Sequence, residues 1–408
     1  MHRFVKSDLN ELAILGGPPA FHNALHIGRP NIGDVNAFLA RAEDILKRRW
    51  LSNGGPYLLE FEKRIADYLG VEHCVAVCNA TTGLQMAIRA LGMKREVIVP
   101  SFTFIASVHA LAWQGIDPVF CDVDPFNHTI DPLQVEMLIG PRTGGILGVH
   151  MWGKGCNITA LQDIASRHSL PLLFDAAHAF GCSHSGRLIG GNGNAEVFSF
   201  HATKAINSFE GGAITTNDHA LAEQLRLSRN FGFAGVDVVS ALGLNGKMPE
   251  ISAAMGLTSL EAMDNIFAKN QENYKLYRQY LEKVPGIQVA EYSPAERTNF
   301  HYIVVEVDPE QAGVDRDLLV LALEHEGVFA RRYFNPGCHR MSPYDTLFPE
   351  VEVRLPHTAR LVKRVLQLPT GTTINEDDVL AITSIIGLIV EQSGVLLQRI
   401  AERSRSQV

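Results

Sequence analysis

The chain has 408 residues, 46% of them hydrophobic, and 44 acidic side chains outnumber 36 Lys and Arg for a formal net charge of −8. That length supports a large buried core and two domains, while the acidic balance and the lack of any basic run argue against a nucleic-acid partner. The first 17 residues carry only the short apolar group Leu12-Ala13-Ile14-Leu15, and the uncharged run 379–390 is shorter than the roughly 20 residues a spanning helix needs, so neither a signal peptide nor a membrane anchor is expected. Six cysteines, Cys74, Cys78, Cys121, Cys156, Cys182 and Cys338, are scattered without a CxxC pair. They read as buried reduced thiols of a cytoplasmic protein. Asp175 and His178 are a possible ligand pair, but without an HExxH motif or a Cys/His cluster no metal site is expected.

Residues 32–48 have a helical apolar pattern, interrupted by the Gly- and Pro-rich loop Trp50-Leu51-Ser52-Asn53-Gly54-Gly55-Pro56. Residues 57–69 resume as an amphipathic helix, with Leu59, Phe61, Ile65 and Tyr68 expected inward, Glu60, Glu62, Lys63, Arg64 and Asp67 expected largely outward, and Gly70 as its C-cap. A strand at 73–77 then runs through Cys78-Asn79-Ala80-Thr81-Thr82-Gly83 into a helix expected at 84–91. Strand, small polar turn and helix start form an anion site, because helix N-terminal N–H groups and the threonine hydroxyls point the same way. The same residues also suit a simple threonine cap.

Strand-like runs at 97–99, 118–121 and 145–150 continue a strand–helix alternation, which predicts a mainly parallel sheet with helices on both faces. Phe104, just past a strand end, suits either a stacking role on a heterocycle or the core. Asp175 ends the apolar run 170–174, and Lys204 follows the strand 197–200, so an acid and an amine stand at the strand-end rim where open α/β sheets bind ligands. Lysine forms a Schiff base with an aldehyde and a carboxylate keeps a pyridine nitrogen protonated, which is how pyridoxal phosphate is held. Taken singly, Asp175 also suits a helix N-cap and Lys204 a solvated surface. A strand entered through Gly211-Gly212 is followed by a helix at 221–228, then Arg229-Asn230-Phe231-Gly232, a Gly-rich stretch at 243–248 and a helix at 252–260 whose Ala253, Ala254 and Gly256 allow close packing. A polar helix at 269–283 leads to strand-like runs at 302–307 and 327–329 and helices at 317–325 and 377–390, a smaller α+β region. Expected boundaries are 31–265 for the large domain and 266–408 for the small one, with 1–30 packing on it.

With these pieces in order, the chain resembles the DegT/DnrJ/EryC1/StrS family of pyridoxal phosphate-dependent nucleotide-sugar aminotransferases. The matching segments are Asn79 to Leu84 as phosphate loop, Pro100 to Phe104 as ring-stacking segment, Asp175 to Gly181, and Phe198 to Lys204 with Glu210-Gly211-Gly212. The resemblance implies the α/β fold of aspartate aminotransferase. It implies that Lys204 bonds the cofactor and moves the donor's Cα proton, Asp175 pairs with the ring nitrogen, Phe104 stacks, Thr81, Thr82 and Ser199 hold the phosphate, and His178 sits near the ring hydroxyl. It also implies a homodimer with shared active sites, in which Asn230 reaches a phosphate in the neighbouring subunit; a plain Asn-Phe-Gly turn is the alternative.

One departure concerns substrate. Many relatives read Asn-Tyr-Arg where this chain has Asn245-Gly246-Lys247, which keeps a charge but loses the bidentate fork. Asn245 and Lys247 are then expected to border the sugar nucleotide, or Lys247 is a surface lysine at a helix entrance. The Asn-Gly-Lys-Met form, with Gly148-Val149-His150-Met151-Trp152-Gly153, is most similar to the branch that aminates C4 of a 4-keto-6-deoxyhexose on dTDP, with glutamate as donor. Alternatives are amination at C3 or of another ketosugar or cyclitol, a sugar dehydratase of the same fold, which Lys204 opposes, and a non-catalytic regulator.

Overall fold

The computed structural model describes residues 5–406. Its centre is a seven-stranded sheet made, in chain order, of β1 (His73–Val77), β2 (Glu96–Pro100), β3 (Asp117–Cys121), β4 (Thr143–Val149), β5 (Leu172–Asp175), β6 (Ala195–Ser199) and β7 (Gly212–Thr216). The spatial order is β1-β7-β6-β5-β4-β2-β3. Strands β2 to β6 pair in parallel, whereas β7 runs antiparallel to both β1 and β6. The expectation of a mostly parallel sheet holds, with β7 making it mixed.

Alternation along each strand sends side chains to opposite faces, and both faces are covered by helices. The large-sheet helices used below are α1 (Val35–Arg48), α2 (Pro56–Leu69), α3 (Ala80–Ala90), α4 (Ile105–Ala112), α5 (Ile158–His168), α6 (His219–Arg229) and α7 (Glu250–Glu261). Val75, Val97 and Val99 pack with Leu84 and Ile88 of α3 and Val108 and Leu111 of α4. On the other face Ile98 and Phe174 meet Ile158 and Leu161 of α5, while Cys74 and Ala76 meet Phe61 and Ile65 of α2. Helices α2 and α7 approach closely at Gly256, where an added Cβ would stand 2.5 Å from the Phe61 ring.

The chain continues through α8 (Met263–Leu281) into an antiparallel sheet of β8 (Ile287–Val289), β9 (Ile303–Val307) and β10 (Val365–Leu368), packed by α9 (Arg316–His325) and α10 (Glu376–Glu391). Leu9, Leu12 and Phe21 belong to the same core cluster, and Leu25 and His26 pair in parallel with Val328 and Phe329. Among the described residues no single helix is long and apolar enough to cross a membrane.

Three local expectations are corrected. Leu58, Phe61, Ile65 and Leu69 form the buried stripe of α2, so Leu59 turns outward at 55% exposure. Glu62, expected outward, is 8% exposed because it accepts the Ala76 N–H (2.8 Å) and pairs with Arg229 of α6; a buried carboxylate is tolerated when hydrogen-bonded and paired. Finally, α3 starts at Ala80 rather than 84, and its cap is neither threonine: Asn79 Oδ1 accepts the Thr82 N–H at 2.8 Å. Asn is among the strongest N-caps, and the first helical turn therefore includes Thr81 and Thr82.

Candidate active site

The carboxyl ends of β4, β5 and β6 open onto a cavity of about 440 Å³. Asp175, the last residue of β5, Ser199, the last of β6, and Lys204, in the loop beyond, all line it, together with Thr81, Phe104 and His178. Thr82, Asn230, Asn245 and Lys247 do not line this cavity. Asn230 and Asn245 bridge each other behind α3, the Cys78 N–H is donated to the Gly246 carbonyl at 2.8 Å, and the Lys247 ammonium lies 4.4 Å from the centre of the Phe231 ring.

Asp175 is held at both oxygens. Oδ1 accepts the Ala177 N–H at 3.0 Å and Oδ2 accepts the Ser107 hydroxyl from α4 at 2.7 Å, which fixes the plane of the carboxylate. No helix follows it, so it is not an N-cap. Phe104 is the residue before α4 and is 52% exposed, with its ring on the cavity rather than in the core.

The Lys204 amine is enclosed and donates to the Tyr302 hydroxyl at 3.1 Å. Burial lowers its pKa to about 8, with Asp175 acting in the opposite sense. An ammonium loses hydration on burial, so the neutral amine is favoured. Burial also pushes the Tyr302 phenol well above its ordinary range, so it stays protonated. His178 accepts the Trp152 N–H at Nδ1 (3.3 Å), and burial, then Lys204 and His301, hold its ring well below the usual histidine range. His301 donates Nε2–H to the Thr203 carbonyl at 2.8 Å, and burial takes its pKa down to about 4. Two neutral imidazoles and a phenol thus surround one amine.

This donor set fits pyridoxal phosphate. A buried amine of lowered pKa suits an aldehyde, a fixed carboxylate suits a pyridinium, an exposed phenyl face suits a heterocycle, and the α3 N-terminus suits an anion. Among the described residues no group of three or more His, Cys, Asp or Glu is placed to hold a metal ion.

Residues 34–387 match the DegT/DnrJ/EryC1/StrS aminotransferase family. The chain belongs to that family. Its members are pyridoxal phosphate-dependent aminotransferases, and their solved structures share this fold. DesI, solved in the presence of its TDP-sugar product, is similar with a TM-score of 0.91 and 46% identity, over 96% of this chain and 99% of that one. PseC of Helicobacter pylori, an aminotransferase involved in pseudoaminic acid biosynthesis, has a TM-score of 0.83 at 26% identity, over 91% of this chain and all of that one. The dTDP-4-amino-4,6-dideoxy-D-glucose transaminase of Shigella dysenteriae is 34% identical over 353 residues, 86% of this chain and 95% of that protein.

Sequence reasoning did not single out Ser107, His301, Tyr302, Arg331, Phe334 or Gln367 for the DegT-family site. Ser107 left a faint trace, as a hydroxyl one turn into the helix after Phe104. The others come from the C-terminal sheet and its loops, where local pattern carries no sign of the cavity they meet.

Proposed function

We propose that this protein transfers an amino group from glutamate to C4 of a dTDP-linked 4-keto-6-deoxyhexose, giving a dTDP-4-amino-4,6-dideoxyglucose type of product. The observation that carries this reading is the enclosed Lys204 amine beside the fixed Asp175 carboxylate, in a chain 46% identical to DesI and 34% identical to the Shigella transaminase. The non-catalytic alternative has no support in a cavity that keeps both groups.

In this reading pyridoxal phosphate, when bound, supplies an electron sink and a carrier for the amino group. Lys204 would be the residue that bonds it and, with a pKa of about 8, would serve as the base that takes and returns the substrate proton. Asp175, oriented by Ser107, would keep the ring nitrogen protonated. Phe104 would stack on the ring, His178 would sit near its hydroxyl, and Thr81 and Ser199 with the α3 N-terminus would hold the phosphate, whereas Thr82, expected to join them, is off the cavity lining.

We further propose a cytoplasmic homodimer whose sites are shared. Its support is a projecting apolar surface: Phe231, Phe233, Val238 and Val239 are exposed, and Val236 is 90% exposed. Apolar patches of this kind mark interaction sites. Asn230, Asn245 and Lys247 lie next to this surface and away from the chain's own cavity, as expected of residues serving a partner's phosphate and nucleotide sugar. A division at 31–265 and 266–408, with 1–30 on the latter, is part of this proposal; its support is the small-sheet core that joins Leu9, Leu12 and Phe21 to residues 274–396, while Cys338, Tyr344, Val351 and Leu355 pack in the large-sheet core.

The test is a panel of ketosugar nucleotides assayed with glutamate, with product regiochemistry read by NMR. A 4-amino product from the dTDP-4-keto-6-deoxy substrate is expected. A 3-amino product, or turnover only with another sugar, replaces the C4 reading.

A further inference from the structure

Gln367, in β10, faces the active-site cavity with 1% of its surface exposed, and neither its side-chain oxygen nor its nitrogen has a hydrogen-bond partner. Its strand neighbours Leu366 and Leu368 belong to the small-sheet core, Leu368 also reaching the cavity edge. A buried amide left unsatisfied is destabilising, so its persistence in a cavity wall suits a ligand that completes it.

Arg331 stands directly opposite. The two residues exchange backbone hydrogen bonds, Arg331 N to Gln367 O at 3.2 Å and Gln367 N to Arg331 O at 2.8 Å, as an antiparallel bridge. Directly opposed residues of such a pair project to the same side, with Cβ atoms about 4.5–5.5 Å apart. Arg331 also lines the cavity, and its guanidinium has no ion pair among the described residues, whereas Arg332 next to it is taken by Asp317 at 3.1 Å. A guanidinium without an ion pair and an amide without a hydrogen bond therefore line the cavity that also holds Lys204.

We propose that Arg331 and Gln367 form the carboxylate-binding subsite for the amino donor. The inference rests on the aminotransferase reading above and names a subsite within it. A planar guanidinium matches a carboxylate bidentately, and an amide N–H adds a further donor. The diphosphate of a sugar nucleotide carries the same sign of charge, so the test sets the two anions side by side.

Titration calorimetry of the cofactor-loaded protein with two probes, glutarate and dTDP, tests this. In Arg331→Ala, glutarate affinity is expected to fall roughly 10- to 100-fold, the range for a hydrogen bond to a charged group, with dTDP affinity within about twofold of wild type. Arg331→Lys is expected to restore part of the loss, since charge returns without the fork. Gln367→Leu is expected to weaken glutarate while raising or maintaining the melting temperature, because an unsatisfied amide has been removed. Unchanged glutarate binding in both Arg331→Ala and Gln367→Leu overturns the proposal, as does a loss confined to dTDP, or a wild type that binds dTDP but not glutarate. Failure of the underlying aminotransferase reading looks different: the wild type then transfers no amino group from any donor.

Discussion

The Lys204 amine and the Tyr302 phenol meet 3.1 Å apart across the seam between the two sheets, one from the loop beyond β6 and the other from the residue before β9. The C-terminal sheet thereby helps to cover the amine at the cavity wall. Among the described residues no other lysine lines the cavity, so Lys204→Ala is expected to abolish amino transfer with circular dichroism unchanged. Lys204→Arg fails as well, because a guanidinium stays protonated and cannot attack an aldehyde. Substantial ketosugar-dependent turnover in either variant would sink the assignment.

The lowered pKa of Lys204 has its own readout. Labelling of this one lysine in cofactor-free protein by an amine-selective reagent, followed by peptide mass spectrometry, is expected to be half-maximal near pH 8. Asp175 favours the charged amine, so Asp175→Asn should move that midpoint lower. A midpoint above 10 in the wild type contradicts the burial argument.

Asp175→Asn is also expected to keep cofactor binding and lose about 10²-fold or more in kcat, since an amide cannot hold the pyridinium proton. Ser107→Ala, which frees one carboxylate oxygen, should cost less, on the order of a single hydrogen bond of about 1 kcal/mol. Steady-state kinetics with saturating donor compare the two, and equal losses would mean that Ser107 does more than orient.

His301 links stability to pH. Its folded pKa is about 4, because burial opposes the charged ring, against roughly 6.5 in an unfolded chain. Between those values the unfolded state binds a proton that the folded state does not, so stability falls as pH drops through that window. From pH 7 to pH 5 the wild type should lose about 2 kcal/mol more than His301→Asn does. Denaturant unfolding of the cofactor-free proteins at both pH values measures it, and parallel behaviour of the two counts against a neutral buried ring.

Assembly and substrate are tested together at Lys247. If it serves the nucleotide sugar in a neighbouring subunit, Lys247→Ala raises KM for that substrate and leaves the glutamate half-reaction nearly unchanged, as for lost uniform binding. Dilution to monomer should remove cofactor and activity together. An active monomer by light scattering ends the shared-site idea, and equal effects of Lys247→Ala on both half-reactions remove it from the sugar site.

Much of the large sheet was legible because its signals are local. Apolar runs bounded by Gly and polar turns give strands at 73–77, 97–99 and 197–200, and a carboxylate or lysine just past such a run must stand at the strand-end rim, so Asp175 and Lys204 were placed near each other by pattern alone. The inward face of α2 was less legible. A glutamate in an amphipathic helix reads as solvent-facing, and only the arrival of Arg229 and the Ala76 N–H made Glu62 a buried residue.

What the sequence alone determined, then, is the alternation of elements and which chemical groups end the strands, since both depend on a few neighbouring residues. The tertiary structure decided the strand order, the antiparallel β7 and the far wall of the site. His301, Tyr302, Arg331 and Gln367 reach the cavity, and Ser107 reaches Asp175, through packing of the C-terminal sheet and of α4 against the parallel strands. Their roles depend on contacts made across tens of residues, 68 for Ser107 with Asp175 and 98 for Tyr302 with Lys204, and Gln367 in particular reads as an ordinary strand residue until the bridge to Arg331 and its unpartnered amide are seen at the cavity wall.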